Sequence, residues 1–303
     1  MFPLEPPTPP RSSGLESGEL LVTQPVNAIL PAVIAACREP VVDNIALALK
    51  MKRLVQWLDG QAPSASLVRR QFHGPPFGDC YVTIDPERQA PFASVNMNRV
   101  YLCGTEAGMD SDSVRRLIDL FTREGIERFF VWLSPGPDMD VVRGWLEGHG
   151  LNRIRHIGYP TLYREVGSPV QFKTDLEVRQ VNRAEVAAAR DQLGETLWPE
   201  YADTADMAGF FHYMAFDGSR PVAVAALAVF EDLGYLMAAR TAEGDRKRGA
   251  QQALIAKRVE RAGQIGCAIL VSETLTMLEH SHRNLQRAGF VEAFEKEVYQ
   301  WNA

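Results

Sequence analysis

Cysteine, basic charge and long apolar runs are all scarce in this chain of 303 residues. Its four cysteines, Cys37, Cys80, Cys103 and Cys267, are widely spaced, with no C-x-x-C pair and no zinc spacing. They read as small apolar residues rather than metal ligands or nucleophiles, and no metal is expected. Nothing resembles a signal peptide, and the best apolar run, Val26 to Cys37, is short and broken by Pro31. A membrane span is therefore not expected, and a cytoplasmic location is. The formal net charge of −6 argues against nucleic acid as a partner, because affinity for phosphodiester chains needs a broad basic face. Two familiar phosphate loops are also missing: there is no G-x-x-x-x-G-K-S/T and no G-x-G-x-x-G after a strand.

What the chain does have is a local cluster of cations, Thr241-Ala242-Glu243-Gly244-Asp245-Arg246-Lys247-Arg248-Gly249-Ala250-Gln251-Gln252. It follows an apolar run, Tyr235 to Ala239, and leads into a helical pattern from Ala250 to Ala262. Arg246, Lys247 and Arg248 thus fall where a helix begins. Unpaired N–H groups and the positive end of the macrodipole favour acids there, not cations. An anion would resolve the conflict, with Gly249 allowing close backbone approach. A focused small-anion site in an acidic protein is the reading this supports. The alternative is a solvated charged turn, partly neutralised by Glu243 and Asp245.

The composition, 46% hydrophobic and 23% charged, is that of a globular protein long enough for two domains. Residues 1–22, rich in Pro and Ser, read as a flexible tail. Residues 23–166 contain a helix over Val41–Leu58 and strands at Cys80–Ile84 and from Ala93 to Leu102. A helix over Ser113–Arg123, a buried-type strand Phe129–Leu133, a helix near Val141–Glu147 and a closing strand Thr161–Tyr163 complete that half. Residues 167–303 begin with a strand, Leu176–Val181, a helix, Ala184–Leu197, and a strand, Phe211–Phe216. Two hairpin strands (Pro221–Phe230 and Gly234–Thr241), the Ala250 helix, a strand Ala268–Val271, a helix through Asn284 and a strand near Val298 follow. Each half runs helix, Gly turn, apolar strand, helix, Gly plus an apolar residue, closing strand. The markers are Gly125, Gly150-Leu151 and Tyr163 in one half, and Gly263, Gly289-Phe290 and Tyr299 in the other. A degenerate duplication is the simplest source.

On these residues the second half resembles the GNAT superfamily of acyl-CoA-dependent N-acyltransferases. Its phosphate motif, Q/R-x-x-G-x-G/A, is matched by Arg246-Lys247-Arg248-Gly249-Ala250-Gln251, except that Gln251 replaces the last small residue. Asn284-Leu285-Gln286-Arg287-Ala288-Gly289-Phe290 is similar to the family's Asn-bearing helix ending in Gly-Phe. The resemblance implies an α+β fold of two GNAT-like units, each a mixed, mostly antiparallel sheet flanked by helices. It also implies acetyl-CoA as co-substrate. The pantetheine arm would pair with backbone at Ala239, Arg240 and Thr241. Amides from Arg248 to Gln251 would hold the pyrophosphate, with Arg246 and Arg248 adding charge and Asn284 facing the cofactor. At the matching helix start of the first half, Gly108 to Ser113 supplies acids and serines, ordinary caps that would repel a pyrophosphate. The first unit is thus expected to be a copy without a cofactor site.

The implied activity is transfer of an acetyl group to a primary amine of a small molecule or peptide, by direct attack within residues 167–303. An acyl-CoA sensor is the alternative, and the sequence is compatible with a homodimer. Such chemistry needs positioning, a backbone donor for the oxyanion near Ala239, a base and an acid. The position of the family's usual Tyr holds Leu285, so Tyr235, Tyr299 or water would have to replace it; Tyr299 is the residue carried forward. Glu273, just after the Ala268–Val271 strand, is the candidate base. The loop carrying Trp198, Glu200 and Tyr201, where aromatics alternate with carboxylates, is the candidate wall for a cationic amine.

Overall fold

The structure is a computed structural model describing residues 42–61, 66–90, 96–197 and 199–303. The expected tail over 1–22, the apolar run 26–37 and the Ala93–Val95 stretch lie outside the described residues. Helix α1 (Asn44–Gln61) leads to strands β1 (Val68–Gln71), β2 (Tyr81–Ile84) and β3 (Arg99–Cys103). Helix α2 (Ser111–Arg123), strand β4 (Arg128–Ser134) and helix α3 (Met139–Gly148) follow. The half closes with β5 (Asn152–Arg153) and β6 (Tyr159–Glu165). The second half runs β7 (Glu177–Val181), α4 (Arg183–Leu193), α5 (Pro199–Asp203), β8 (Phe210–Asp217), β9 (Arg220–Phe230) and β10 (Leu233–Thr241). It ends with α6 (Ala250–Ile265), β11 (Ile269–Glu273), α7 (Glu279–Arg287) and β12 (Val291–Asn302). The hydrophobic patterning predicts most of these elements; β1, β5 and α5 are not among them, and the helix expected to run to Leu197 ends at Leu193. The fold is α+β.

Period-2 alternation decides which face each strand residue takes. Phe129, Val131 and Leu133 pack with α2 and α3, while Phe130 and Trp132 turn to the other face and meet α1. In the second half Leu227, Leu236 and Leu270 pack under α6 and α7, and Met214, Val224 and Ala226 under α4 and α5. Helices therefore cover both faces of one sheet. Helix α1 spans the middle, its Leu47, Met51 and Leu54 touching a cluster that draws Tyr101 and Trp132 from the first half and Leu233, Val271 and Phe294 from the second. Lys50 with Asp232, and Arg53 with Glu231 at 3.2 Å, pin it to the β9–β10 turn.

The twelve strands form one sheet in the order β1-β2-β3-β4-β12-β6-β11-β10-β9-β8-β7, with β5 beside β12. Among the described residues only β3 with β4 and β10 with β11 are parallel; the other pairings are antiparallel. The two closing strands are exchanged. Strand β6 of the first half lies on β11 of the second, with Thr161 opposite Glu273. Strand β12 lies on β4 of the first, with Val298 opposite Trp132. The two also pair with each other, Val291 opposite Tyr163. The two halves, described from residue 42 onward, thus each complete the other's sheet, and the whole span from Val42 to Ala303 is one compact unit. An open strand edge is a template for another strand, and here each half covers the edge that the other would expose.

Candidate functional site

Strands β10 and β11 are in register only over Leu233–Ile269, Gly234–Leu270 and Tyr235–Val271. Beyond Tyr235 they part, β10 following β9 as far as Thr241 and β11 following β6 to Glu273. At the fork Ser272 Oγ donates to the Leu236 carbonyl at 3.0 Å. The divergence coincides with a bulge on β10: Met237 opposes Ala226, but Arg240 opposes Val224, and Ala238 takes φ +53°. A left-handed conformation costs a non-glycine residue about 1–2 kcal/mol, so surrounding contacts must hold it.

The helix that starts beside this fork is uncapped. Gly249, at φ +81°, is the N-cap of α6; among the described residues no side chain caps the first-turn N–H groups, and that turn holds no acid. Arg246 and Lys247 are exposed. Arg248 is directed at carboxylates of the chain itself. Its guanidinium meets Asp175 at 2.5 Å, Asp217 at 2.8 Å and Asp245 at 3.5 Å. Arg220 binds Asp245 from the other side at 2.7 Å. Arg248 holds the Asp175 and Asp217 carboxyls below their ordinary range, and Arg220 does the same for Asp245. The Arg248 side chain therefore knits the loop to β8 and to the chain before β7, while its carbonyl accepts from Thr174 Oγ1 at 2.8 Å. Gly249 also has a local reason to be glycine: a Cβ there would lie 2.5 Å from the Lys173 carbonyl oxygen.

The corresponding position of the first half is built the opposite way. Helix α2 is capped by Asp110, whose carboxylate accepts from the Ser113 N–H at 3.0 Å while Ser113 Oγ accepts from the Asp110 N–H. Strands β3 and β4 stay in register to Cys103–Ser134. Past that point Gly104 N–H donates to Ser134 O and Thr105 N–H to Pro137 O. The two loops touch so closely that a Cβ at Gly136 would lie 1.9 Å from the Cys103 carbonyl oxygen. One half has a fork and a bare helix start; the other has a closed seam and a filled cap.

Several of the residues singled out from sequence do meet. Asn284 Nδ2 donates to Gln251 Oε1 at 2.7 Å, and Gln251 Nε2 donates to Ser281 Oγ at 3.1 Å, tying the first turn of α6 to α7. Ala239 and Arg240 are exposed and Thr241 half-buried along the diverging end of β10. Leu285 is buried in the core beneath α6 and α7, far from any proton-transfer role.

Glu273 ends β11 but is not free. Its carboxylate lies 3.0 Å from Lys296 Nζ, accepts from Thr161 Oγ1 at 3.0 Å and faces Tyr235 OH at 3.4 Å. Lys296 is fully buried, its ammonium 3.9 Å from the Trp132 ring centre, 4.9 Å from Tyr159 and 5.2 Å from Tyr101. Burial pulls its pKa down against the opposing pull of Glu273. Burial also pushes the Tyr235 phenol well above its ordinary value, with the nearby Glu273 charge adding to it.

Tyr299 does not join this group. It alternates onto the opposite face from Val298, packs in the first-half core, and donates its hydroxyl to Glu297 at 3.2 Å. Tyr201 is fully buried against α4 and β8, donating to the Tyr213 carbonyl at 2.9 Å with His212 edge-on at 4.6 Å. It is a core residue, not a pocket wall. Trp198 and the side chain of Glu200 lie outside the described residues.

Two charged residues that the sequence reading passed over are prominent. One is Lys296. The other is Arg258 on α6, 1% exposed, which donates to the carbonyls of Leu254 (3.0 Å), Ala226 (3.2 Å) and Met237 (3.4 Å). Both carry a sequence signal, a cation on an otherwise apolar face: Phe294-x-Lys296-x-Val298 at period 2, and Leu254-x-x-x-Arg258-x-x-x-Ala262 at helical spacing.

No protein-family model matches this sequence, and no curated protein matches it. Solved structures do. A GCN5-related N-acetyltransferase from Kribbella flavida superposes with a TM-score of 0.62 at 17% identity, over 86% of this chain and 95% of that one. A tandem GNAT protein from the clavulanic acid biosynthesis pathway gives 0.59 at 9% identity, over 86% and 93%. A GCN5-related N-acetyltransferase from Sphaerobacter thermophilus gives 0.54 at 11% identity, over 74% and 80%. The fold of this chain is that of the GNAT N-acetyltransferases in their tandem arrangement.

Proposed function

We propose that the chain is an acetyl-CoA-dependent N-acetyltransferase whose second half moves the acetyl group to a primary amine of a small molecule. The observation that carries this reading is the contrast between halves: an uncapped helix start beside a strand fork in one, a capped helix beside a closed seam in the other. The residues fit the co-substrate. The first-turn N–H groups of α6 and the exposed Arg246 and Lys247 would take the phosphates. The diverging edge at Ala239 to Thr241 would pair with the pantetheine amides. Gln251 and Asn284 brace that turn, and Arg248 anchors the loop from behind.

The bound thioester supplies an activated acetyl carbonyl. The chain's own part is to hold the amine against it, to offer a backbone N–H to the developing oxyanion, and to accept a proton. Glu273, shared with Lys296 and Tyr235, is the proton acceptor in this reading, reached through water. A second reading, a non-catalytic acyl-CoA sensor, draws on two observations: Leu285 is buried, and Glu273 is already engaged by Lys296. The division into units at 23–166 and 167–303, and a cytoplasmic setting, belong to the proposal. Among the described residues no helix is long and apolar enough to cross a membrane.

Thiol release from acetyl-CoA, followed across polyamines, amino acids, aminoglycosides and peptide N-termini, separates the two. Amine-dependent release from at least one class is expected. Saturable binding with no release from any amine would leave the sensor reading, and no binding would end both.

A further inference from the structure

Arg258 is a fully buried cation in the middle of α6, and its described partners are backbone carbonyls rather than a carboxylate. Burying a charge costs several kcal/mol unless it is well paired, and burial pulls this guanidinium down to about 9. An apolar residue would fill the same space at lower cost, so what the side chain grips is informative. It holds Ala226 O on β9 and Met237 O on β10, the pair at which the ladder breaks into the bulge.

The direction of the next amide follows. Leu236 O points to the β11 side, where Ser272 Oγ donates to it. Along a strand, successive carbonyls point to opposite sides, and Met237 O accordingly points to β9 and Arg258. The Met237–Ala238 peptide is trans, so its N–H points opposite to its C=O. That N–H faces the fork between β10 and β11. The strained φ of +53° at Ala238 is held in part by this grip on the residue before it.

Building on the acetyl-CoA reading above, we infer that Arg258 is a positioning residue that locks and polarises the Met237–Ala238 peptide, so that the Ala238 N–H is the donor to the thioester oxygen. A cation bound at the carbonyl end of a peptide strengthens the hydrogen bond made by its N–H end. In a chain with Leu285 where a phenol would stand, this places positive charge behind the reacting carbonyl without exposing an acid.

The test is isotope-edited infrared spectroscopy of acetyl-CoA labelled with carbon-13 at the thioester carbonyl, bound to the full chain, with calorimetry for affinity. In the wild type the carbonyl stretch is expected to move to lower frequency on binding. In Arg258→Met that shift is expected to disappear while CoA affinity changes by less than about threefold, a few tenths of a unit in log Kd. Arg258→Lys keeps the charge but not the two-point planar grip, and is expected to show a reduced shift; it decides the matter should the Met variant fail to fold. An unchanged shift in the folded variants overturns the inference about Arg258 and leaves the acetyl-CoA reading standing. No saturable binding of acetyl-CoA to the wild type overturns both.

Discussion

Lys296 shows how a single side chain redefines its neighbours. It occupies a box of one carboxylate and three aromatic rings, the environment that a cationic amine substrate would want. The chain's own ammonium fills that box, and in doing so holds Glu273, the carboxylate that the sequence favours as a base. Replacing Lys296 with Met leaves Glu273 buried and uncompensated, which should destabilise the fold by about 3–5 kcal/mol. Glu273→Gln with Lys296→Met should recover most of that loss in urea unfolding. Simple additivity of the two single losses would show that the pair is not energetically coupled. The alternation Phe294, Lys296, Val298 already marks Lys296 as inward-facing, and the same alternation puts Tyr299 on the far face from it. What no periodicity gives is that Glu273, twenty-three residues earlier, waits at the end of Lys296; a partner across strands is a matter of tertiary pairing.

At the level of elements, the longer helices were readable from a buried stripe, and strands such as β4 and β9 from unbroken apolar runs buried on both faces. The short β1 and β5, exposed or half-buried, carry no such signal. The pairing of β6 and β12 was not readable either. Period 2 specifies which face a strand buries but not which strand lies beside it, and nothing in Thr161–Tyr163 says that it will meet β11 rather than β4. The exchange has a consequence. Residues 167–303 made alone would leave β11 with one bare edge and β12 with none of the strands it pairs with, since β4, β5 and β6 all belong to the first half. Made separately, 42–166 and 167–303 are each expected to be insoluble or unfolded, and to give a folded complex when co-expressed. A cooperative melt of 167–303 alone at the temperature of the whole chain would contradict this. The cap contrast was legible element by element, since Asp110 and Ser113 are ordinary N-terminal residues and Arg246 to Arg248 are not. The ion pairs of Arg248 were not legible, for a physical reason: its three carboxylate partners, Asp175, Asp217 and Asp245, come from separate stretches of chain that converge only in the fold.

The described residues form one sheet with two parallel seams, β3–β4 closed and β10–β11 forked, and helix α1 is laid across its middle. The central claim at this scale is that it takes one acetyl-CoA, at the forked seam. Gln251→Glu probes it with opposite signs. A negative charge in the first turn of α6 favours the helix dipole by about 0.3–1 kcal/mol and preserves an oxygen to accept from Asn284 Nδ2, yet it would repel a pyrophosphate. The deciding measurement is calorimetric titration of acetyl-CoA into the wild type, Gln251→Glu, and a variant with Asp110 and Asp112 both changed to Asn. The expected result is one site per chain in the wild type, and affinity reduced by about tenfold or more in Gln251→Glu with an equal or higher melting temperature. Binding should be unaltered when the first-half acids are removed. Two sites per chain, or full affinity in a folded Gln251→Glu variant, would contradict it.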